Sequence, residues 1–185
     1  MKKEIRVVGI DDSPFTKKDS HTLVIGTFFR GGVALDGVMS CVVEVDGDDA
    51  TSKIAEMLLK SKFRHQLKCI FLDGIAVAGF NVVDIHELHK RAKLPIIVVM
   101  RKRPDVEGMR KALRKISQEH KMTLIENAGK IFPLGKVYAQ VVGTTTEKAR
   151  EFLAITCTRS DIPEPLRAAH LIAAGVLKGE SRGRA

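Results

Sequence analysis

The 185-residue chain has no tryptophan and one tyrosine, and aromatic residues make up only 5% of it. A surface that binds single strands by stacking bases on rings is therefore poorly supplied. Cysteine is scarce as well: Cys41, Cys69 and Cys157 are scattered through apolar segments without any CxxC pair. That spacing argues against a disulfide framework or a cysteine zinc site and suits small buried hydrophobes in a reducing compartment. No apolar run approaches the roughly 18 residues of a membrane span, and MKKEIRVV has no signal-peptide core, so a cytoplasmic protein without a membrane partner is expected. Gly31, Gly32 and Gly79 fit neither GxGxxG nor GxxxxGKS/T, which removes the common nucleotide-binding loops.

Positive charge, by contrast, is in excess, at +9. It gathers in Lys90, Arg91 and Lys93, in Arg101, Lys102 and Arg103, and in Arg110, Lys111, Arg114 and Lys115. Such clusters attract polyanions, although a solvated basic face looks the same in sequence. With so few aromatic rings, a nucleic acid held by this chain is held by its phosphates. Whether RNA or DNA, and in what oligomeric state, the composition leaves open.

Two apolar runs end in carboxylates: IRVVGIDD closes on Asp11 and Asp12, and KCIFLDG on Asp73. On neighbouring parallel strands about 4.8 Å apart, Asp11 and Asp73 emerge side by side. Paired carboxylates hold Mg²⁺ or Mn²⁺, ions that activate water and neutralise a phosphodiester transition state. Taken singly, an aspartate after a strand is equally a turn former or helix N-cap.

Periodicity supplies the frame. Residues 5–10, 22–29 and 37–45 read as strands with short turn-rich connections, hence an antiparallel meander. DGDDATSKIAEMLLKSK switches to helical spacing, and KCIFLD is apolar enough to be buried on both faces. A helix in NVVDIHELHKRA, a strand over 94–100, a basic helix from about Asp105 to His120, a strand in VYAQVVG and helices over 145–158 and 163–177 follow. Alternating strands and helices predict parallel pairing in the second half. One α/β domain over 1–185 is expected, its sheet ordered 3-2-1-4-5 with helices on both faces, and the tail over 179–185 mobile. This is the ribonuclease H-like layout, with Asp11 and Asp73 at the edge where open sheets take their ligands.

The phrases GIDDSPF, FRGG, DGVM, VDGDDAT, LDGIAVAGFNVVDI, VVMRKRP, PEPLRAAHLIAAG and GESRGRA resemble, in order along the whole chain, the uncharacterised archaeal endonuclease-V-like family, distant kin of endonuclease V. The resemblance implies the endonuclease V variant of the ribonuclease H-like fold. It makes Asp11 and Asp73 counterparts of two metal-binding carboxylates. Endonuclease V takes a third from a glutamate in an FRE phrase; here DGDDAT offers Asp46, Asp48 and Asp49, with Asp49 the best match by spacing. N-capping and dipole complementarity would select the same three acids. RSDIPEPLRAAH is similar to the RLPEPTRLAH segment, where a packing helix would make His170 structural. Lys102 stands where endonuclease V has a lysine after its GVAK phrase, so Arg101 and Lys102 are candidate phosphate contacts. The PYIPG wedge and the SPGH histidine have no equivalents, since FFRGGVALDG and VVGTTTEKA occupy those places.

The expectation is a Mg²⁺- or Mn²⁺-dependent nuclease-like protein acting on nucleic-acid phosphodiesters, with Asp11, Asp73 and Asp49 as metal ligands. The alternative is a nucleic-acid-binding or partner-binding protein on a nuclease scaffold that has lost hydrolysis.

Overall fold

Short connections fold the first part of the chain into a meander. β1 (Arg6–Asp12), β2 (His21–Arg30) and β3 (Ala34–Glu44) pair antiparallel, with Asp11 opposite Ile25 and Val24 opposite Cys41. Helices and strands then alternate through α1 (Ala50–Lys60), β4 (Cys69–Asp73), the small hairpin of β5 (Ala76–Val77) and β6 (Asn81–Val82), α2 (Ile85–Ala92) and β7 (Ile96–Met100). The chain continues as α3 (Val106–Lys115), α4 (Met122–Asn127), β8 (Phe132–Leu134), β9 (Val137–Val142), α5 (Thr146–Thr156) and α6 (Glu164–Lys178). The structure, a computed structural model, describes residue 1 and residues 3–181. The expected mobile tail falls outside the described residues from 182 onward.

The main sheet runs β3-β2-β1-β4-β7-β9-β8, so its first five places are the expected 3-2-1-4-5. β1, β4 and β7 are parallel, as a sheet fed by helical crossovers requires. β9 departs from the expected parallel pairing: it is antiparallel to β7, with Met100 opposite Tyr138. The reason lies in the connection. The predicted helix over 105–120 stops at Lys115, where Ser117 adopts φ +56° and the N–H groups of Ser117 and Gln118 donate back to Arg114 and Leu113. After α4 the chain enters the sheet on β8, which is antiparallel to β9 and so runs parallel to β7. The tight turn at Gly135, φ +72°, and Lys136 then reverses it into β9.

Apolar alternation divides the core between the two faces. Val8, Ile10, Ile70, Leu72, Ile96 and Val98 pack beneath α1 to α4, and Val7, Cys69, Phe71, Ile97 and Val99 beneath α5 and α6. The β4 sequence CIFLD is buried on both sides, as its unbroken apolarity demands. Among the described residues no helix is long and apolar enough to cross a membrane.

Candidate active site at the carboxyl edge of the sheet

β1 and β4 keep parallel register to the pair Ile10 and Leu72, so the next residue on each strand is an aspartate. Asp11 is 6% exposed, while Asp73 at the end of β4 is half-buried. The third member comes from the far end of the chain. α6 lies so close over β1 that a Cβ on Gly9 would fall 2.3 Å from the Pro165 carbonyl carbon, and only glycine admits that approach. Thr27 Oγ1 fastens the same point by donating to the Pro165 carbonyl at 2.6 Å. Ala169 and Ala173 then pack on Ile25. With the helix fixed in this way, His170 Nδ1 donates to Asp11 Oδ2 at 3.0 Å.

Asp11, Asp73 and His170 each bring one potential ligand atom within 4.8 Å of the others. The electrostatics fit a place that wants added positive charge. Burial, and then the charge of Asp11, push the Asp73 carboxyl up to about 6, although Arg101 and His170 pull it down. His170 is raised above its ordinary 6.5, chiefly by the hydrogen bond to Asp11. Asp12, on the other face of β1, is driven to about 6 by burial and by Asp11, even though its Oδ2 accepts the Ala78 N–H. Its own N–H donates to Asp11 Oδ1 at 2.9 Å, which steers that carboxylate.

Asp49 goes elsewhere. Its Oδ1 accepts the Glu44 N–H at 3.1 Å and the Asn81 Nδ2–H at 2.7 Å, while Asn81 Oδ1 accepts the first N–H of α1, from Ala50. Asn81 thus caps α1 across the fold rather than α2, which Asp84 caps by accepting from His86 and Glu87. Asp46 Oδ1 accepts the Phe80 N–H, and Asp48 faces Lys121 Nζ at 3.3 Å. The group that could hold an ion consists of two acids and His170, and none of the DGDDAT acids belongs to it. His170, expected as a structural residue of a packing helix, also reaches the carboxylates. An imidazole among the alanines of LRAAHLIAAG was the available signal, since a helix buried along Ala169 and Ala173 has little other reason for histidine.

Arg101 and Lys102 are both exposed in the turn after β7, beside Asp73, which pairs with Val99. Arg101 is close enough to lower Asp73 electrostatically. Lys121, which no local pattern singles out, is fully buried and donates to the carbonyls of Asp46, Gly47 and Phe80 at 2.7, 2.7 and 2.9 Å.

A family model for endonuclease dU matches residues 3–177. The chain belongs to the endonuclease dU family. A UPF0215 protein of Methanothermobacter thermautotrophicus is 50% identical over 191 residues, covering 100% of this chain and 94% of the relative. A protein of unknown function from Archaeoglobus fulgidus has a crystal structure that superposes with a TM-score of 0.87 at 38% identity, covering 92% of this chain and 97% of that one. Endonuclease V of Ciona intestinalis, crystallised with a 24mer DNA containing an inosine followed by a ribo-adenosine, superposes at 0.60 with 15% identity over 94% of this chain and 86% of that one. Human endonuclease V superposes at 0.56 with 21% identity, covering 91% of this chain and 82% of that one. The fold of this endonuclease dU family member is therefore mixed α/β, of the ribonuclease H-like class in its endonuclease V form.

Proposed function

We propose that this member of the endonuclease dU family is a divalent-metal-dependent phosphodiesterase acting on nucleic acid. One observation carries the reading: Asp11, Asp73 and His170, brought together from β1, β4 and α6, converge within 4.8 Å. One buried and one half-buried carboxylate offer hard oxygen to Mg²⁺ or Mn²⁺, and the imidazole nitrogen favours Mn²⁺ of the two. Such an ion supplies water activation and charge neutralisation at phosphorus. The protein's own groups do the rest. Asp12 N–H and His170 Nδ1–H hold the two Asp11 oxygens in fixed directions, which leaves less reorganisation to pay at the moment of reaction. Arg101 and Lys102, in the turn beside Asp73, bind the scissile phosphate and orient it toward the carboxylates. Asp49 serves the loop and not the ion.

The family's name makes deoxyuridine-containing duplex DNA the first substrate to try, beside undamaged DNA and RNA of the same sequence. Cleavage that requires Mn²⁺ or Mg²⁺ and disappears in Asp73→Asn is the expected result. Salt-sensitive binding without product, on every nucleic acid and with either ion, would remove hydrolysis and leave a binding protein on this scaffold.

A further inference from the structure

We infer that the outward face of α3 is the track along which a nucleic-acid strand leaves the Asp11–Asp73 crevice, gripped through its phosphates by Lys111, Arg114 and Lys115. The inference rests on the reading above, in that nucleic acid is the ligand, and it names the surface that holds it.

α3 is sharply two-sided. Val106, Met109 and Leu113 recur at helical spacing and pack into the core beneath the helix. Lys111, Arg114 and Lys115 stand on the opposite side, all exposed, and among the described residues none has a side-chain partner. Arg110, one position before them, shows the contrast: it is occupied by Glu126 at 2.7 Å and Glu107 at 3.5 Å. Unpaired cations at i, i+3 and i+4 repel one another, so the arrangement costs stability that an anion laid across them would restore.

Both ends of the helix are anchored beside the crevice. At the near end β7 pairs with β4, the Gly74 N–H donates to the Val99 carbonyl at 3.0 Å, and the exposed turn Arg101–Arg103 leads to Asp105, which caps α3 by accepting from Gly108. At the far end Gln118 Nε2 and Lys121 Nζ both donate to the Asp46 carbonyl. α3 is thus fixed along the carboxyl edge of the sheet rather than hung from it. Its ten residues span about 15 Å, the rise of roughly four nucleotides of one strand. From Arg101 to Arg114 the chain has no aromatic side chain, so recognition there is of backbone charge and not of bases.

The test is the salt dependence of binding to a fluorescent 30-base-pair DNA duplex, measured without divalent ions on the full chain. Each lost phosphate contact lowers the slope of log K against log salt by about 0.9 on duplex DNA. Lys111→Ala/Arg114→Ala/Lys115→Ala is therefore expected to lower it by about two to three. Lys62→Ala/Lys136→Ala/Lys148→Ala removes the same charge from exposed positions elsewhere on the surface and should leave the slope unchanged. An unaltered slope in the α3 variant, or an equal fall in the control, overturns the track. Failure of the hydrolytic reading looks different: wild-type protein then binds with the full slope and never cuts.

Discussion

In the loop between β3 and α1, each aspartate has an answering donor: Asp46 takes the Phe80 N–H, Asp49 takes Glu44 N–H and Asn81, and Asp48 faces the ammonium of Lys121. At the carboxyl edge of β1 and β4 the acids instead face one another. Burial, and then the charge of Asp11, raise both Asp12 and Asp73, and His170 and the Ala78 N–H answer them only in part. The two regions have similar composition and opposite electrostatics. Fully answered acids stabilise a loop; acids crowded against their own kind store repulsion that an arriving cation relieves.

The largest expected effect tests the crowded side. Asp73→Asn should lower metal-dependent cleavage by about 1,000-fold, roughly 4 kcal/mol of barrier. Because a repelling charge is removed, the melting temperature in metal-free buffer should hold or rise. A variant that cuts normally, or unfolds, would erase the distinction between the two regions.

Next comes the answered side. Lys121→Met removes the donor to the Gly47 and Phe80 carbonyls, one of two donors to the Asp46 carbonyl and the partner of the exposed Asp48, and should cost about 3 kcal/mol in urea unfolding. Loss of less than about 1 kcal/mol would mean that the ammonium does not hold this loop.

Acidity separates the two regions by a smaller margin. A carboxyl whose folded value lies above its ordinary 3.8 favours the fold while protonated, so the contribution of Asp12 and Asp73 is complete below pH 3.8 and lost as pH rises through about 6. His170, also raised, adds stability below 6.5 that disappears at higher pH. The metal-free protein should thus weaken between pH 4 and 7, by on the order of 2 kcal/mol. Saturating Mn²⁺ should reverse the trend above pH 6, because the ion takes the place of the protons. Melting curves across this range, with and without Mn²⁺, measure both; a flat metal-free profile would count against stored repulsion.

The smallest effect concerns Asp49. Asp49→Ala removes two hydrogen bonds at the head of α1 and should cost about 1 kcal/mol in unfolding while Mn²⁺ affinity, by calorimetric titration, stays at the wild-type value. A tenfold weaker Mn²⁺ affinity would return Asp49 to the ligand set.

Much of the scaffold was legible because its signals are local. Alternating Val, Ile and Phe marked β1 to β3, and an unbroken apolar run marked β4. The direction of β9 was not legible, since it turns on a hairpin with β8, a strand of three residues too short to carry an alternating pattern. Spacing named Asp49 as a ligand because it stands at the head of α1. The carboxylate was already committed to Asn81, 32 residues away, a partner no local pattern reveals.

The sequence by itself determined that two aspartates would close adjacent strands, that the chain would carry excess positive charge, and which family it joins. Periodicity and strand-end chemistry act over a few residues, so they survive without a third dimension. Only the tertiary structure decided that His170, 159 residues from Asp11, completes the crevice, and that Lys121 is spent within the loop. Those outcomes depend on which polar groups burial leaves unanswered, and that is settled when the helices close on the sheet.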